Sequence, residues 1–246
     1  MLRRPPRSTQ SRSSAASDVY KRQAQHRGTT YSWSEEPGIE HWTVELLLSG
    51  KMPGSQEDRS VIIAAAEIWR IDNSLCLDQV FELDCISNDL AVVGDAIDSS
   101  RAKMSALSLA EGMNSSYAIA DLVLVDKHWR GRRIGPALVF FAADLLKVDA
   151  VFLQPVALTT FLTPDGRVDT DYWALRPGVA AQNKVRKAWR RAGCRKLADG
   201  VVWTIATAGR GAAARAVLER LEEEAGTASG RAWWLRRVRH AARQQR

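Results

Sequence analysis

The sequence predicts an α/β or α+β protein in which helices cover the faces of a sheet. Segments with strand character alternate with segments of helical spacing, a pattern typical of that fold class. The clearest strand spans residues 117–125, where β-branched and apolar residues run between turn signals. The clearest helix spans residues 136–147, because a proline at the first helical position costs no hydrogen bond.

The other elements are predicted from the same kinds of pattern. Strands are expected at residues 60–71, 150–156 and 200–206, and helices at 102–111, 180–191 and 212–225. Residues 41–49 fit a strand or a short helix. Turn signals dominate residues 72–100, which are rich in Asp and Asn, and residues 158–178, which carry two prolines and two glycines and are expected to form a loop.

Charge divides the chain into three parts. Residues 1–27 carry seven basic side chains and one acidic, and residues 209–246 carry nine basic and four acidic. The whole chain has a net charge of +7, so residues 28–208 have −4. We expect a disordered leader over 1–27, a folded domain over 28–208 and a basic helical extension over 209–246. Residues 1–23 resemble translated sequencing-adapter read-through, which would make them an artefact, although a transit peptide has a similar composition.

Composition disfavours several classes of protein. No apolar run reaches the roughly 18 residues of a membrane span, and the N-terminus lacks the apolar core of a secretory signal. The three cysteines form no C-x-x-C pair, which argues against a zinc site or a disulfide framework and fits a reducing cytosol. The expectation is a cytoplasmic protein with no bound metal and no specific nucleic acid partner.

The C-terminal segment after residue 230 is predicted to form a helix with Trp234 and Val238 on one face and arginines elsewhere. Such a helix suits a membrane surface, an RNA or a protein partner. The alternative is a solvated tail that tucks a tryptophan against the folded body.

The loop between the clearest strand and the clearest helix is the main clue to function. It reads Arg130-Gly-Arg-Arg-Ile-Gly135. Its two glycines let the backbone approach a bulky anion, and amides at the start of a helix can then bind phosphate groups. The loop therefore predicts a pyrophosphate site.

In this context the loop resembles the signature of the GNAT family of N-acetyltransferases, in which a strand ending in valine precedes Gln/Arg-x-x-Gly-x-Gly/Ala. Val125 stands five residues before Arg130, and Gly135 fills the last position of the motif. Arg133 replaces the first glycine of the family. Affinity for the cofactor is the property that this replacement puts in question.

A second stretch, residues 183–195, resembles the helix of the family that ends in Tyr-x-x-x-Gly-Phe-Arg. Gly193 and Arg195 fit, whereas Cys194 replaces the phenylalanine. Trp189 stands where many members have a tyrosine that protonates the departing thiolate. An indole has no acidic proton near neutral pH, so that role is not expected of Trp189.

The resemblance implies acyl transfer from acetyl-CoA or another acyl-CoA to a primary amine. It also implies a mixed, mostly antiparallel central sheet flanked by helices, with a splayed central strand pair that admits CoA. A backbone N–H of the central strand would polarise the thioester carbonyl. The cofactor-binding residues implied are Val123, Leu124, Val125, Arg130, Gly131, Arg132, Arg133, Ile134, Gly135 and either amide of Gln182 and Asn183.

Candidates for the base that deprotonates the amine are carboxylates. Asp121 shares a face of the central strand with Val123 and Val125 if no bulge intervenes. Glu82 and Asp84 belong to an acidic stretch that also contains Asp78 and Asp89, where the family usually places acceptor-binding elements. The alternatives are a structural carboxylate at Asp121 and a solvated acidic loop face.

Two further hypotheses concern other side chains. His128, in the loop just before the predicted pyrophosphate turn, is expected at the surface rather than in catalysis. Tyr172 and Trp173 are candidates for the lining of an acceptor pocket, with core packing as the alternative.

Three functions remain open from the sequence. The first is an N-acyltransferase acting on a small molecule or a protein, with a homodimer as one expected assembly. The second is a sensor or partner module that binds acyl-CoA without turnover. The third is an RNA- or membrane-associated protein that works through its basic ends.

Overall fold

A seven-stranded sheet forms the centre of the described part of the chain. The computed structural model describes residues 20–30, 38–51, 58–75, 79–100, 116–157, 178–197 and 201–244. The strands are β1 (Tyr20–Thr30), β2 (Ile39–Lys51), β3 (Asp58–Asp72), β4 (Ser116–Val125), β5 (Ala150–Leu153), β6 (Arg195–Lys196) and β7 (Trp203–Ala206). Their spatial order is β1-β2-β3-β4-β5-β7-β6. Neighbouring strands are antiparallel except β4 and β5, which run parallel. The predicted mixed, mostly antiparallel sheet is confirmed.

Helices cover both faces of this sheet. They are α1 (Gln79–Ile86), α2 (Asn88–Ser99), α3 (Ile134–Leu146), α4 (Val179–Arg191), α5 (Arg210–Ala225) and α6 (Ala228–Gln244). The first face of the sheet packs against α3, α5 and α6, and the second face packs against α1 and α2. Helix α3 is apolar around most of its circumference because it lies between the sheet and α5, and a helix that is apolar all round is a buried one.

The predicted elements mostly form, with shifted ends. Strand β4 and helix α4 match their predictions within one residue, whereas β5 ends at Leu153 rather than 156. Helix α3 begins at Ile134, so Pro136 is its third residue rather than its first. Residues 41–49 lie in a strand, β2. The helix predicted at 102–111 and nearly all of the loop predicted at 158–178 lie outside the described residues.

Residues 72–100 differ most from their prediction, because they hold helices α1 and α2 rather than a run of turns. Ser87 begins α2 as its N-cap, and its hydroxyl oxygen accepts a hydrogen bond from the Leu90 N–H at 3.2 Å. Asp, Asn and Ser favour helix starts as well as turns, since their short side chains bind free amides in both settings. At Ser87 a polar residue that also favours turns therefore begins a helix.

Ordered pairing also reaches into the predicted leader. Strand β1 includes residues 20–27 and pairs antiparallel with β2 from Tyr20 to Thr30. The predicted boundary between leader and domain at residue 27 therefore falls inside a strand.

Helix α6 packs on the body through the face that the sequence predicted. Trp234 is completely buried, and its indole N–H donates to the Leu48 carbonyl of β2 at 3.1 Å. Val238, one turn further on, is buried as well. This packing agrees with the alternative of a helix tucked against the body. None of the described helices is both long and apolar enough to cross a membrane.

Trp234→Ala should lower the free energy of unfolding by about 3–5 kcal/mol, because it removes a fully buried indole and leaves the Leu48 carbonyl without that donor. Chemical denaturation followed by circular dichroism measures this change. Arg236→Ala, on the exposed side of the same helix, should change it by less than about 0.5 kcal/mol. A similar effect of both variants would contradict the packing described for α6.

Candidate functional site

A β-bulge in β4 turns Asp121 away from its neighbours. In the pairing with β3, Ile68 faces Ala120 and Glu67 faces Leu122, so Asp121 is an extra residue without a ladder partner on β3. An extra residue shifts the alternation of side chains by one position. Val123 and Val125 consequently pack towards α3 on the first face, whereas Asp121 faces groups on the second. Because this bulge intervenes, Asp121 does not share a face of the strand with Val123 and Val125.

The parallel pairing of β4 with β5 is short and leaves a gap beside the rest of β4. Tyr117–Ala120 pair with Ala150–Leu153, after which β5 ends and β4 continues to Val125. A cleft of about 1420 Å³ opens there, lined by β4, the following loop and residues of α2 to α5. This divergence is the splayed central strand pair that the resemblance implies.

The chain after β5 is fastened to α4 across one wall of the cleft. The Gln182 amide donates to the Pro155 carbonyl at 2.6 Å and accepts from the Ala157 N–H at 2.7 Å. Both polar ends of Gln182 are thus engaged with backbone. Asn183 is exposed, and neither amide is among the described residues that line the cleft.

Asp126 organises the loop between β4 and α3. The Asp126 carboxylate accepts from the His128 N–H at 2.8 Å, and the Asp126 N–H donates to the Ile63 carbonyl of β3 at 2.8 Å. The Arg130 guanidinium then donates back to the Val125 carbonyl at 2.9 Å. These bonds fix where the chain leaves the sheet before the turn into α3.

The turn into α3 needs unusual backbone angles at two positions. Gly131 has φ of 82°, and Arg133, which replaces the first glycine of the family motif, has φ of 64° and ψ of 20°. A left-handed conformation costs a non-glycine residue about 1–2 kcal/mol. The backbone thus keeps a glycine-like geometry at Arg133 despite the substitution.

Gly135 brings the start of α3 close to β4. A Cβ atom there would lie 3.3 Å from Val123 Cγ1 and 3.7 Å from Val125 Cγ2. The absence of a side chain therefore allows the helix to begin directly beside the strand. The first amides of α3, which have no partner within the helix, then lie at the cleft.

Basic side chains surround the part of the cleft formed by the loop, α4 and the start of α5. Among the described lining residues the cations are Arg130, Arg133, Lys184, Lys187, Arg191 and Arg210. Arg132 is directed elsewhere, since its guanidinium pairs with Glu224 and lies 4.8 Å from the centre of the Trp129 ring. Cations beside a helix start suit a polyanionic ligand.

Acidic groups occupy the part of the cleft on the second face of the sheet. Asp121 and Asp89, from α2, are the carboxylates among the described lining residues. Burial beside the cleft raises the pKa of Asp121, and the Asp89 carboxylate adds to this effect, whereas the Trp69 indole N–H opposes it. The Asp121 side chain nevertheless reaches solvent through the cleft.

His41 of β2 and Glu67 of β3 form a hydrogen-bonded pair near Asp121. Glu67 lies 2.8 Å from His41 Nε2, and the same carboxylate accepts from the Thr43 hydroxyl at 2.9 Å. The charges of Glu67 and His41 both act on the pKa of Asp121, in opposite directions. Asp121 therefore lies close enough to this polar network for the charges of the network to act on its carboxylate.

The remaining predicted residues lie in different places. Leu124 is buried against Ala65, Ile134 lies at the start of α3, and Trp189 is buried and lines the cleft. Asp84 is exposed on α1 and does not line the cleft, and Glu82 belongs to the same helix. Tyr172 and Trp173 lie outside the described residues.

Sequence reasoning missed His41 and Glu67 and did not single out Asp89. A signal for Glu67 existed, because it is the one acid between Val61 and Trp69, the apolar part of strand β3. Charged residues inside a buried strand need a partner, which points to a polar group on the adjacent strand. Asp89 was named only as a member of the acidic stretch, because helix α2, which places it at the cleft, was not predicted.

No protein-family model matches the chain, and no curated protein matches it. The resemblance to the GNAT family therefore rests on the two motifs and on the fold, which is consistent with the one that the family implies.

Arg133→Gly should raise the free energy of unfolding by up to about 1 kcal/mol, because glycine adopts the left-handed conformation without steric cost. The matched variant Arg133→Ala removes the same side chain but keeps a Cβ in that conformation, and should give no such gain. Thermal and urea denaturation of the three proteins measure the difference. Equal stability of the two variants would mean that the backbone at residue 133 is not left-handed.

Proposed function

We propose that this protein is a GNAT-type N-acyltransferase that uses acetyl-CoA or another acyl-CoA as donor and a primary amine as acceptor. The observation that carries the proposal is the charge distribution of the cleft. The cations come from the loop, α4 and α5, and these two helices pack on the first face of the sheet, whereas Asp89 comes from α2 on the second face, which Asp121 also faces. One gap in the sheet can thus bind an anionic donor and a cationic acceptor so that they meet between β4 and β5.

The loop and the start of α3 fit the diphosphate of CoA. Gly131 has open space around the position of a Cβ, and Gly135 lies against β4, so backbone amides can approach phosphate oxygens closely. Lys184, Lys187 and Arg191 of α4 supply charge from the facing wall. Bound acyl-CoA would supply an activated acyl group as its thioester.

The chemistry left to the protein is deprotonation of the amine and stabilisation of charge on the thioester oxygen. Asp121 is the best-placed base, because its raised pKa makes it a stronger proton acceptor than an ordinary aspartate. Beyond Ala120 the edge of β4 that faces the cleft has no ladder partner on β5, so its backbone amides are available as oxyanion donors. Base and oxyanion donors would therefore both come from β4.

A second candidate function is binding of acyl-CoA without turnover. Trp189 favours it, since this buried indole stands where the family has a tyrosine and provides no acid for the thiolate. Release of free thiol from acetyl-CoA in the presence of polyamines, aminoglycosides or lysine peptides separates an enzyme from a sensor.

Acetyl-CoA should raise the midpoint of thermal unfolding, because a ligand that binds only the folded state adds about 2.7 kcal/mol at a hundred times its Kd. Lys187→Ala combined with Arg191→Ala should weaken binding by on the order of tenfold, since two charges facing the phosphates are lost. A thermal melt with and without acetyl-CoA measures the shift of the midpoint, and isothermal titration calorimetry measures the change in affinity.

The matched control is Arg186→Ala combined with Arg195→Ala, which removes two exposed arginines that do not line the cleft. This control should bind acetyl-CoA as the wild type does. Absence of any shift with acetyl-, propionyl- or longer acyl-CoA would overturn both candidate functions.

Asp121→Asn should lower kcat/KM by about 10²–10⁴-fold, because an amide cannot accept the proton. In the wild type kcat/KM should fall as the pH drops through the raised pKa of Asp121. The same variant should be more stable at neutral pH, since ionised Asp121 is disfavoured by burial in the folded state. That gain should vanish below the ordinary pKa of aspartate, where the carboxyl is neutral in the folded and the unfolded protein.

Asp95→Asn, an exposed carboxylate on α2 outside this cleft, is the control and should change neither property. Full activity of Asp121→Asn would assign the base elsewhere. Unchanged stability would contradict the raised pKa of Asp121.

A further inference from the structure

Helix α6 contacts the phosphate loop, defined as residues 126–133, through an ion pair. Arg237 Nη2 lies 2.6 Å from Asp126 Oδ2. Asp126 is only 5% exposed and the Arg237 side chain is 20% exposed, so most solvent is excluded from the pair. A pair in this setting has a fixed geometry, and loss of either partner leaves the other charge poorly compensated.

Asp126 transmits this contact to the loop. Its second carboxylate oxygen accepts from the His128 N–H, and its carbonyl accepts from the Trp129 N–H at 2.9 Å. The carboxylate that Arg237 orients is therefore the one that shapes the first turn of the loop.

An aromatic contact follows the same path. The Trp233 ring stacks on His128 with centroids 5.6 Å apart and planes 16° apart, and meets the edge of Trp129 at 5.3 Å. Trp129 lines the cleft, whereas Trp233 does not. Two successive loop residues thus rest on one indole of α6.

The helix itself is fixed to the sheet. Trp234, next to Trp233, is buried and hydrogen-bonded to the Leu48 carbonyl of β2. Because β2 also pairs with β3, and β3 with β4, the helix and the strand that precedes the loop share one rigid frame.

We propose that α6 is part of the donor site: Arg237 and Trp233 are positioning residues that hold the phosphate loop in the conformation that binds the CoA diphosphate. This inference rests on the proposed function, because it concerns the same ligand. Neither residue lines the cleft, so their effect passes through Asp126, His128 and Trp129.

The ion pair provides a test in which positioning and simple electrostatics predict opposite signs. Arg237→Ala removes a positive charge near the loop, and Asp126→Asn removes a negative one. Asp126→Asn keeps an acceptor for the His128 N–H. Electrostatics alone predicts that CoA binds more weakly to the first variant and more tightly to the second. Positioning predicts roughly tenfold weaker binding to both.

Isothermal titration with CoA and with S-acetylpantetheine, which lacks the diphosphate, gives a second readout. If α6 positions the phosphate loop, the affinity for S-acetylpantetheine should stay within about twofold of the wild type in both variants. Arg236→Ala removes the same charge from the exposed side of α6 and should leave both affinities unchanged. Circular dichroism confirms that each variant is folded at the temperature of the titration, and Asp126→Asn carries the test if Arg237→Ala does not fold.

Each other outcome overturns the inference. Tighter or unchanged CoA binding by Asp126→Asn, equal weakening for both ligands, or the same loss in Arg236→Ala contradicts positioning while the proposed function stands. Failure of the wild type to bind CoA overturns the proposed function, and the inference with it.

Discussion

Strand β5 pairs with β4 over four residues, and the candidate site exists because this pairing ends at Ala120 and Leu153. Beyond that point β4 continues alone on one side, and the sheet opens into a cleft instead of a continuous ladder. A gap of this kind exposes backbone groups that must find other partners. The Gln182 amide provides two such partners, because it hydrogen-bonds to the Pro155 carbonyl and the Ala157 N–H in the chain after β5.

Because of the bulge at Asp121, strand β4 places functional side chains on both sides of the cleft. With strict alternation and no bulge, Asp121 would share a face with Val123 and Val125. With the bulge, the valines support the start of α3 through Gly135, and the carboxylate faces α2 and the Glu67–His41 pair. The partial desolvation that raises the pKa of Asp121 and the left-handed backbone of Arg133 both cost stability. Local costs of this type are common at functional sites.

The sequence predicted the elements that carry strong periodicity, and it placed the Arg- and Gly-rich loop of residues 130–135 between the right strand and helix. Helix α3 was predicted from Pro136, although that proline is its third residue rather than its first. The helices in residues 72–100 were not, since their polar caps have the same composition as turns. The face of Asp121 was not predictable either: it depends on a bulge set by the pairing of β3 with β4, and no residue type marks that bulge. Local sequence patterns indicate helices and strands, whereas the geometry of the site depends on the pairing register between strands that are distant in the sequence.

The structure also changes the interpretation of the C-terminal segment, because its main contacts are with distant parts of the chain. Its charge separates it from the rest of the sequence, yet Leu218 and Leu221 of α5 and Trp234 of α6 belong to the core formed with α3 and the first face of the sheet. Removal of residues 209–246 would expose that face and withdraw the partners of Asp126 and Arg132. A shortened chain would therefore lose core packing and loop geometry together. Point substitutions that keep the core intact, rather than deletions, are needed to separate the charge of this segment from its structural contribution.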